Sequence, residues 1–283
     1  MRRAVTWLDV FTSRPLTGNG LAVVHDADDL TDGFMLAFAR ETRLSETTFI
    51  QRATVESADY RNRIFSPPGE MPFAGHPSLG TAVAHARRRG DRVASYVQET
   101  RAGLQPVEVE LAGSTARASM LQGPVHFGAV PDPERVAAAL GLQPADFVPE
   151  LPPQVASTGA PHLLAPVRDA ALLPRLQVQP GVLGSLLDDL GCIVVYLTAM
   201  TDGGRVRARS FYLDRGLVVE DPATGSAAGP LIAYLHRSGV ASKVEIDQGV
   251  EMARPSRLVA EIAGDRVRVG GDVVVIADAT LTV

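Results

Sequence analysis

Residues 63–90, RIFSPPGEMPFAGHPSLGTAVAHARRRG, decide the fold, because residues 209–239, RSFYLDRGLVVEDPATGSAAGPLIAYLHRSG, pass through the same series of parts. Each stretch opens on Arg-x-Phe, as Arg63-Ile64-Phe65 and as Arg209-Ser210-Phe211. Each then reaches a glycine-led helix start, Gly75-His76 or Gly225-Ser226, and the helix stops at Gly90 or Gly239. Strand-like sequence follows in both, ending at Ala112-Gly113-Ser114 and at Ala263-Gly264-Asp265. Identity is low but the order is kept, which predicts two copies of one strand–loop–helix–strands unit. The two central helices offer little polar surface: Gly80, Ala82, Val83 and Ala84 in one, Ala227, Ala228, Leu231, Ile232 and Leu235 in the other. A helix apolar on most sides must be surrounded, and strands wrapped around it would do that.

Outward from these helices, short strands alternate with further helices. Val107, Val109 and Leu111 interleave with Glu108 and Glu110, and Val244 and Ile246 with Lys243, Glu245 and Asp247. That period of two marks strands with one buried face. Helices are predicted over 31–41, 77–89, 133–140, 180–190 and 227–238. Thr31-Asp32 supplies a cap for the first, and Pro133 suits the first position of the third. Leu121–Pro133, rich in Gly and Pro, reads as the linker between the halves. The expected division is a first lobe over 1–122, which a C-terminal strand at 272–283 can join, and a second over 123–271.

A chain of 283 residues accommodates two such lobes. Its net charge of −5 argues against a nucleic-acid partner, which demands surplus Lys and Arg. The basic run Arg87-Arg88-Arg89 falls on the last turn of a predicted helix, where it complements the dipole. Cys192 is the single cysteine and lies in an apolar run, so it reads as a small buried side chain. No apolar stretch approaches the ~20 residues of a membrane span. The N-terminus shows no signal peptide, so the expected location is the cytoplasm.

Three segments could carry chemistry. In Leu44-Ser45-Glu46-Thr47-Thr48-Phe49-Ile50 a carboxylate stands among β-forming and apolar neighbours. Burial there would raise its pKa, as a general acid and base near neutral pH requires; a strand-edge glutamate facing water is the plainer reading. In Pro72-Phe73-Ala74-Gly75-His76-Pro77-Ser78 a glycine and a histidine open a helix whose free N–H groups attract anions. A packed or capping histidine is the alternative. Glu220-Asp221-Pro222-Ala223-Thr224-Gly225-Ser226-Ala227 repeats that logic, with Pro222 biasing Asp221 to an extended backbone. Ordinary capping by Thr224 or Ser226 is the alternative here. Together the segments place one acid or base on a strand and two anion-attracting helix starts, one in each half. A small substrate bearing a carboxylate is the matching ligand.

These segments resemble the phenazine-biosynthesis (PhzF-like) family. The resemblance rests on Asp9-Val10-Phe11, Gly18-Asn19, Leu44-Ser45-Glu46-Thr47, Glu70, Phe73-Ala74-Gly75-His76-Pro77, Asp221-Pro222-Ala223-Thr224-Gly225-Ser226-Ala227, Gln248-Gly249-Val250-Glu251 and Arg254-Pro255-Ser256, all in the family's order. One departure is Gly20, where the family usually has proline, and a slightly loosened turn is expected there. The resemblance implies an α+β, diaminopimelate-epimerase-like fold: two pseudo-symmetric lobes, each a β-barrel around a central α-helix, with the active site between them. It also implies a homodimer and neither metal nor organic cofactor. The activity it implies is isomerisation of trans-2,3-dihydro-3-hydroxyanthranilate. Carried over by motif, Glu46 shuttles the proton, His76 and Asp221 hydrogen-bond the substrate and assist, and Ser45, Gly75, Gly225 and Ser226 bind it. Related epimerases and racemases carry a cysteine at each helix start; here those positions read His76 and Ser226, so two-thiol racemisation is not expected. Two other readings stay open: the same chemistry on another amino-acid-derived metabolite, and a small-molecule-binding protein without catalysis.

Overall fold

The computed structural model describes residues 2–283. The chain falls into two compact units, one running to Leu121 and including Gly270–Val283, the other Gln122–Val269. In chain order the elements of the first are β1 (Arg2–Val10), β2 (Asn19–Val24), α1 (Asp32–Thr42), β3 (Glu46–Gln51), β4 (Tyr60–Phe65), β5 (Glu70–Met71), α2 (Gly75–Arg89), β6 (Val93–Thr100), β7 (Gly103–Ala112) and β8 (Thr115–Leu121). The second has β9 (His126–Phe127), α3 (Pro133–Leu140), β10 (Gln154–Ser157), β11 (Pro161–Pro166), α4 (Pro180–Leu190), β12 (Val194–Thr201), β13 (Arg205–Asp214), β14 (Leu217–Asp221), α5 (Gly225–Arg237), β15 (Lys243–Gln248) and β16 (Ser256–Ala263). The last strand, β17 (Arg266–Thr282), begins in the second unit and ends in the first.

The first unit is a closed barrel. β1 pairs antiparallel with β2, β2 parallel with β3, β3 antiparallel with β4, and β4 parallel with β6. The ring continues antiparallel from β6 to β7 and from β7 to β8, then closes through β17 back onto β1. Closure leaves no open edge in this ring. Helix α2 packs on β1, β2, β3, β4, β6, β7 and β8, and every residue from Gly75 to Ala84 is buried. The buried stretch of α2 accordingly carries no Asp, Glu, Lys or Arg; its polar side chains are His76, Ser78 and Thr81, and Leu79 and Val83 each contribute about 1.5–3 kcal/mol by leaving water. A small residue is needed at the helix–strand contact: a Cβ on Gly80 would stand 2.5 Å from Leu21 Cδ2 and 3.0 Å from Val10 Cγ2.

The second unit repeats the pattern. β10 is antiparallel to β11, β11 parallel to β12, β12 antiparallel to β13, β13 parallel to β15, and β15 antiparallel to β16. The short hairpin partners β5 on β4 and β14 on β13 also correspond. Helix α5 is buried from Ala227 to Leu235 and packs on β10, β11, β15 and β16. Helix α3 has no counterpart in the first unit; its Val136 and Leu140 join α4 and the strands in one apolar cluster. Cys192 lies in that cluster, and burial pushes its thiol up to about 11. Among the described residues no helix is long and apolar enough to cross a membrane.

The helices match the sequence reading closely, except that α2 and α5 begin two residues earlier than expected, at Gly75 and Gly225. First-turn N–H groups have no helical partner anyway, so Pro77 does not fix the start. The loosened turn expected at Gly20 is not there: Gly20 lies within β2, opposite Asp9. Replacing Gly80 with valine should destabilise the protein by about 1–3 kcal/mol, since buried Leu21 would have to leave its place. Chemical denaturation at neutral pH measures this.

Candidate active site

In the first unit the ladder fixes Glu46 as the first residue of β3, opposite Leu21 of β2. Its Oε2 lies 3.4 Å from Nε2 of His76, the second residue of α2, and the two side chains are 15% and 5% exposed. That separation is longer than a full hydrogen bond. Among the described residues His76 Nε2 is buried without a hydrogen-bond partner. Burial holds the imidazole down at about 3, a hydrogen bond with the Gly20 backbone offsetting part of the effect. At neutral pH His76 is therefore uncharged, able to donate from one ring nitrogen and accept at the other. Ser45 Oγ donates to Asn19 Oδ1 at 3.5 Å beside the start of β3. Asp9 is buried, and its Oδ2 accepts from the Leu16 N–H at 2.6 Å. It thus braces a loop in which both Phe11 and Leu16 have φ of 64°, a backbone state uncommon for such residues.

The second unit holds its helix start differently. Asp221 ends β14, and its Oδ2 accepts from Thr224 Oγ at 2.7 Å. Thr224 is the residue before α5, yet its side chain makes no cap bond. The hydroxyl restrains Asp221 instead. Gln248, fully buried, ties the loop together. Its amide nitrogen donates to the Asp221 carbonyl at 2.7 Å and to Thr224 Oγ at 2.9 Å, and its oxygen accepts from the Thr224 N–H and the Tyr196 hydroxyl, each at 3.1 Å. The next residue must be glycine: Gly249 has φ of 71°, and a Cβ there would lie 2.6 Å from the Pro222 carbonyl oxygen. Ser226, second in α5, lies 3.0 Å by its Oγ from Nε2 of His162, a fully buried residue of β11.

The two units differ where chemistry is expected. Thr47 faces Phe65 across β3–β4, and Val195 faces Phe211 across β12–β13, so Val194 occupies the place of Glu46. Ile64 faces Met71 and Ser210 faces Asp221, so Met71 occupies the place of Asp221. The carboxylate in the barrel wall thus belongs to the first unit alone. What both share is a strut beside the helix start. Arg63 grips Glu70 by Nε and Nη2 at 2.5 and 2.9 Å, and Arg209 grips Glu220 at 2.8 and 2.7 Å. Each guanidinium also lies over its neighbouring ring, Phe65 or Phe211, at 5.3 and 4.8 Å. Glu70, part of the family resemblance, is therefore a brace.

The structure brings Glu46 and His76 into one cluster with Gly75 at the same helix start, and Asp221, Gly225 and Ser226 together around the other. Sequence reasoning missed His162, and it quoted Gln248 only within a motif. The dipeptide Pro161-His162 carried no signal, because a histidine in an apolar strand reads as packing. Among the described residues no group of three or more His, Cys, Asp or Glu could hold a metal ion.

The sequence matches the family described as "Phenazine biosynthesis-like protein" over residues 8–279. The chain belongs to this family. A trans-2,3-dihydro-3-hydroxyanthranilate isomerase of Pseudomonas aeruginosa is 40% identical over 271 residues, covering 92% of this chain and 91% of the relative. An uncharacterized isomerase of Clostridium acetobutylicum is 31% identical, covering 95% of this chain and 94% of the relative. Among solved structures, a predicted epimerase from Pseudomonas aeruginosa is 43% identical with a TM-score of 0.87 and covers 99% of both chains. As a member of the phenazine-biosynthesis-like family, the chain is an isomerase of α+β fold, two similar lobes each built around a central helix.

Two outcomes follow from this geometry. Gln248→Leu leaves the Thr224 N–H and the Asp221 carbonyl without partners; it should destabilise the protein by about 2–4 kcal/mol and lower turnover, as read by urea unfolding and activity together. The second concerns pH. An unfolded histidine titrates near 6.5, whereas folded His76 does so at about 3. Between those values the unfolded chain binds a proton that the folded one refuses. The stability held above about pH 6.5 is therefore lost as pH falls. In His76→Gln the acid side of the stability curve should be shallower by up to about 1.4 kcal/mol per pH unit, measured by urea midpoints from pH 7 to 4.

Proposed function

We propose that the protein moves one proton within trans-2,3-dihydro-3-hydroxyanthranilate or a closely similar small cyclic acid, with Glu46 as the proton carrier. The observation that carries this reading is the Glu46 carboxylate, largely buried, 3.4 Å from an imidazole that burial keeps neutral. A neutral imidazole does not clamp the carboxylate as an ion pair would, so Glu46 remains able to accept and return a proton. In the forward step Glu46 takes a proton from one ring carbon, and the C–H electron pair enters the conjugated system. The double bonds shift, and Glu46 delivers the same proton to another ring carbon. No electron is gained or lost overall, and no co-reactant is consumed.

His76 and Asp221 hydrogen-bond the substrate's amino and carboxylate groups in this reading and assist the tautomerisation. Gly75, Gly225, Ser226 and Ser45 bind it through backbone and hydroxyl donors. Helix starts favour a carboxylate because their N–H groups are free and the dipole is positive there. The absence of a counterpart to Glu46 in the second unit supports a single base, hence relocation of a proton on one face instead of two-base inversion. The proposal includes a homodimer in the cytoplasm working without metal or organic cofactor.

A second reading keeps Glu46 but changes the substrate. It is favoured by the 43% identity to a chain described only as a predicted epimerase, and by relatives named only as uncharacterized isomerases. Fold and helix starts do not set the far wall of a pocket. The test uses absorbance of the conjugated product from dihydro-3-hydroxyanthranilate. Wild type should turn it over, and Glu46→Gln should lose about 10²–10⁴-fold in kcat while remaining folded. Full activity in Glu46→Gln would remove the assigned role. A wild type inert on this acid that still exchanges solvent deuterium into another amino or hydroxy acid would establish the second reading.

A further inference from the structure

Behind Ser226 stands a buried histidine, His162, to which the proposed reaction gives no role. Ser226 Oγ lies 3.0 Å from His162 Nε2. His162 is fully buried in β11, opposite Val194, while Ser226 is part-exposed in the first turn of α5. Matching the two units places Leu21 where His162 stands, because Leu21 faces Glu46 as His162 faces Val194. The apolar position of one barrel wall is thus replaced by a histidine in the other, directly behind the helix-start side chain. Placing an imidazole there is unfavourable unless it is hydrogen-bonded, so the residue calls for a reason beyond packing.

A serine hydroxyl is a free rotor, and its proton can point to several partners. At the start of α5 it has three kinds of choice: back to a helix carbonyl, sideways to the loop, or outward to a ligand. With its proton on Nε2, the neutral ring donates to Oγ; it occupies one lone pair of the hydroxyl and leaves the serine hydrogen to point at a ligand that accepts. We infer that His162 is a positioning residue that fixes the Ser226 hydroxyl for the substrate's carboxylate. The inference rests on the reading of Ser226 as a substrate-binding side chain. Burial keeps the imidazole uncharged, at about 4, across the physiological range, so the pairing is a neutral hydrogen bond and leaves the charge at the helix start unaltered.

The test has a part that needs no substrate. In protein labelled with ¹⁵N-histidine, the His162 ring resonances are assigned by their loss in His162→Gln. Ser226→Ala should shift the Nε2 resonance, and an unmoved resonance would overturn the pairing. The kinetic part is a double-mutant cycle on the turnover of dihydro-3-hydroxyanthranilate. His162→Leu should raise KM about tenfold with kcat within about twofold, the signature of lost ground-state binding. His162→Gln, which keeps a polar group near Nε2, should bring KM back to within about threefold of wild type. Adding His162→Leu to Ser226→Ala should change nothing further. If it still lowers kcat/KM about tenfold in that background, His162 acts on packing and the inference fails. A wild-type protein without turnover would count against the functional reading, and the nitrogen shift would then decide this one alone.

Discussion

A helix whose first three turns carry no Asp, Glu, Lys or Arg, and are buried almost throughout, exists only inside other structure. That constraint, imposed twice, organises this protein. Helix α2 is buried from Gly75 to Ala84, and seven strands pack around it. Sheathing a helix in this way leaves its two ends as the places where its backbone meets something other than the barrel wall. The N-terminal end carries free N–H groups and the positive pole of the dipole. Gly75 and His76 stand at that end of α2, and Gly225 and Ser226 at that end of α5. The same burial that stabilises the fold thus presents an anion-attracting group in each unit.

Duplication supplied the frame, and the polar residues of the candidate site are departures from it. The Arg63–Glu70 and Arg209–Glu220 struts occur at matching places and hold the chain just ahead of each helix. Part-buried, bidentate and stacked on phenylalanine, they resist the entropy and screening that weaken exposed pairs. Against this shared frame Glu46 replaces what is Val194 in the other unit, Asp221 replaces Met71, and His162 replaces Leu21. All three exchanges put a polar side chain where the sister unit keeps an apolar one, near a helix start. Stability alone would not select them, since each polar group has to be satisfied where an apolar one would simply pack.

The satisfaction is unequal, and the inequality is informative. Gln248 spends its whole hydrogen-bonding capacity within the Asp221–Thr224 loop and the Tyr196 hydroxyl, which makes that loop rigid. His76 instead faces Glu46 at 3.4 Å, too far for a strong bond, with its imidazole neutral.

The chain alone determined the two-copy plan, the five helices to within about two residues at their starts, and the segments around Glu46, His76 and Asp221. These were legible because they are local: glycine-stopped apolar helices, alternating strands, and proline- and glycine-marked loops each leave a pattern in consecutive residues. The tertiary structure decided what depends on residues far apart in sequence. It made Glu70 a brace, set Gly20 within a strand, and turned the Thr224 hydroxyl toward Asp221 and away from the helix. It also brought His162 behind Ser226, and Gln248 beneath the Asp221 loop. A hydrogen bond between residues 24 or 64 positions apart has no periodicity to betray it; it comes into being only when a barrel closes around its helix and fixes the register of strands that the sequence lists far from one another.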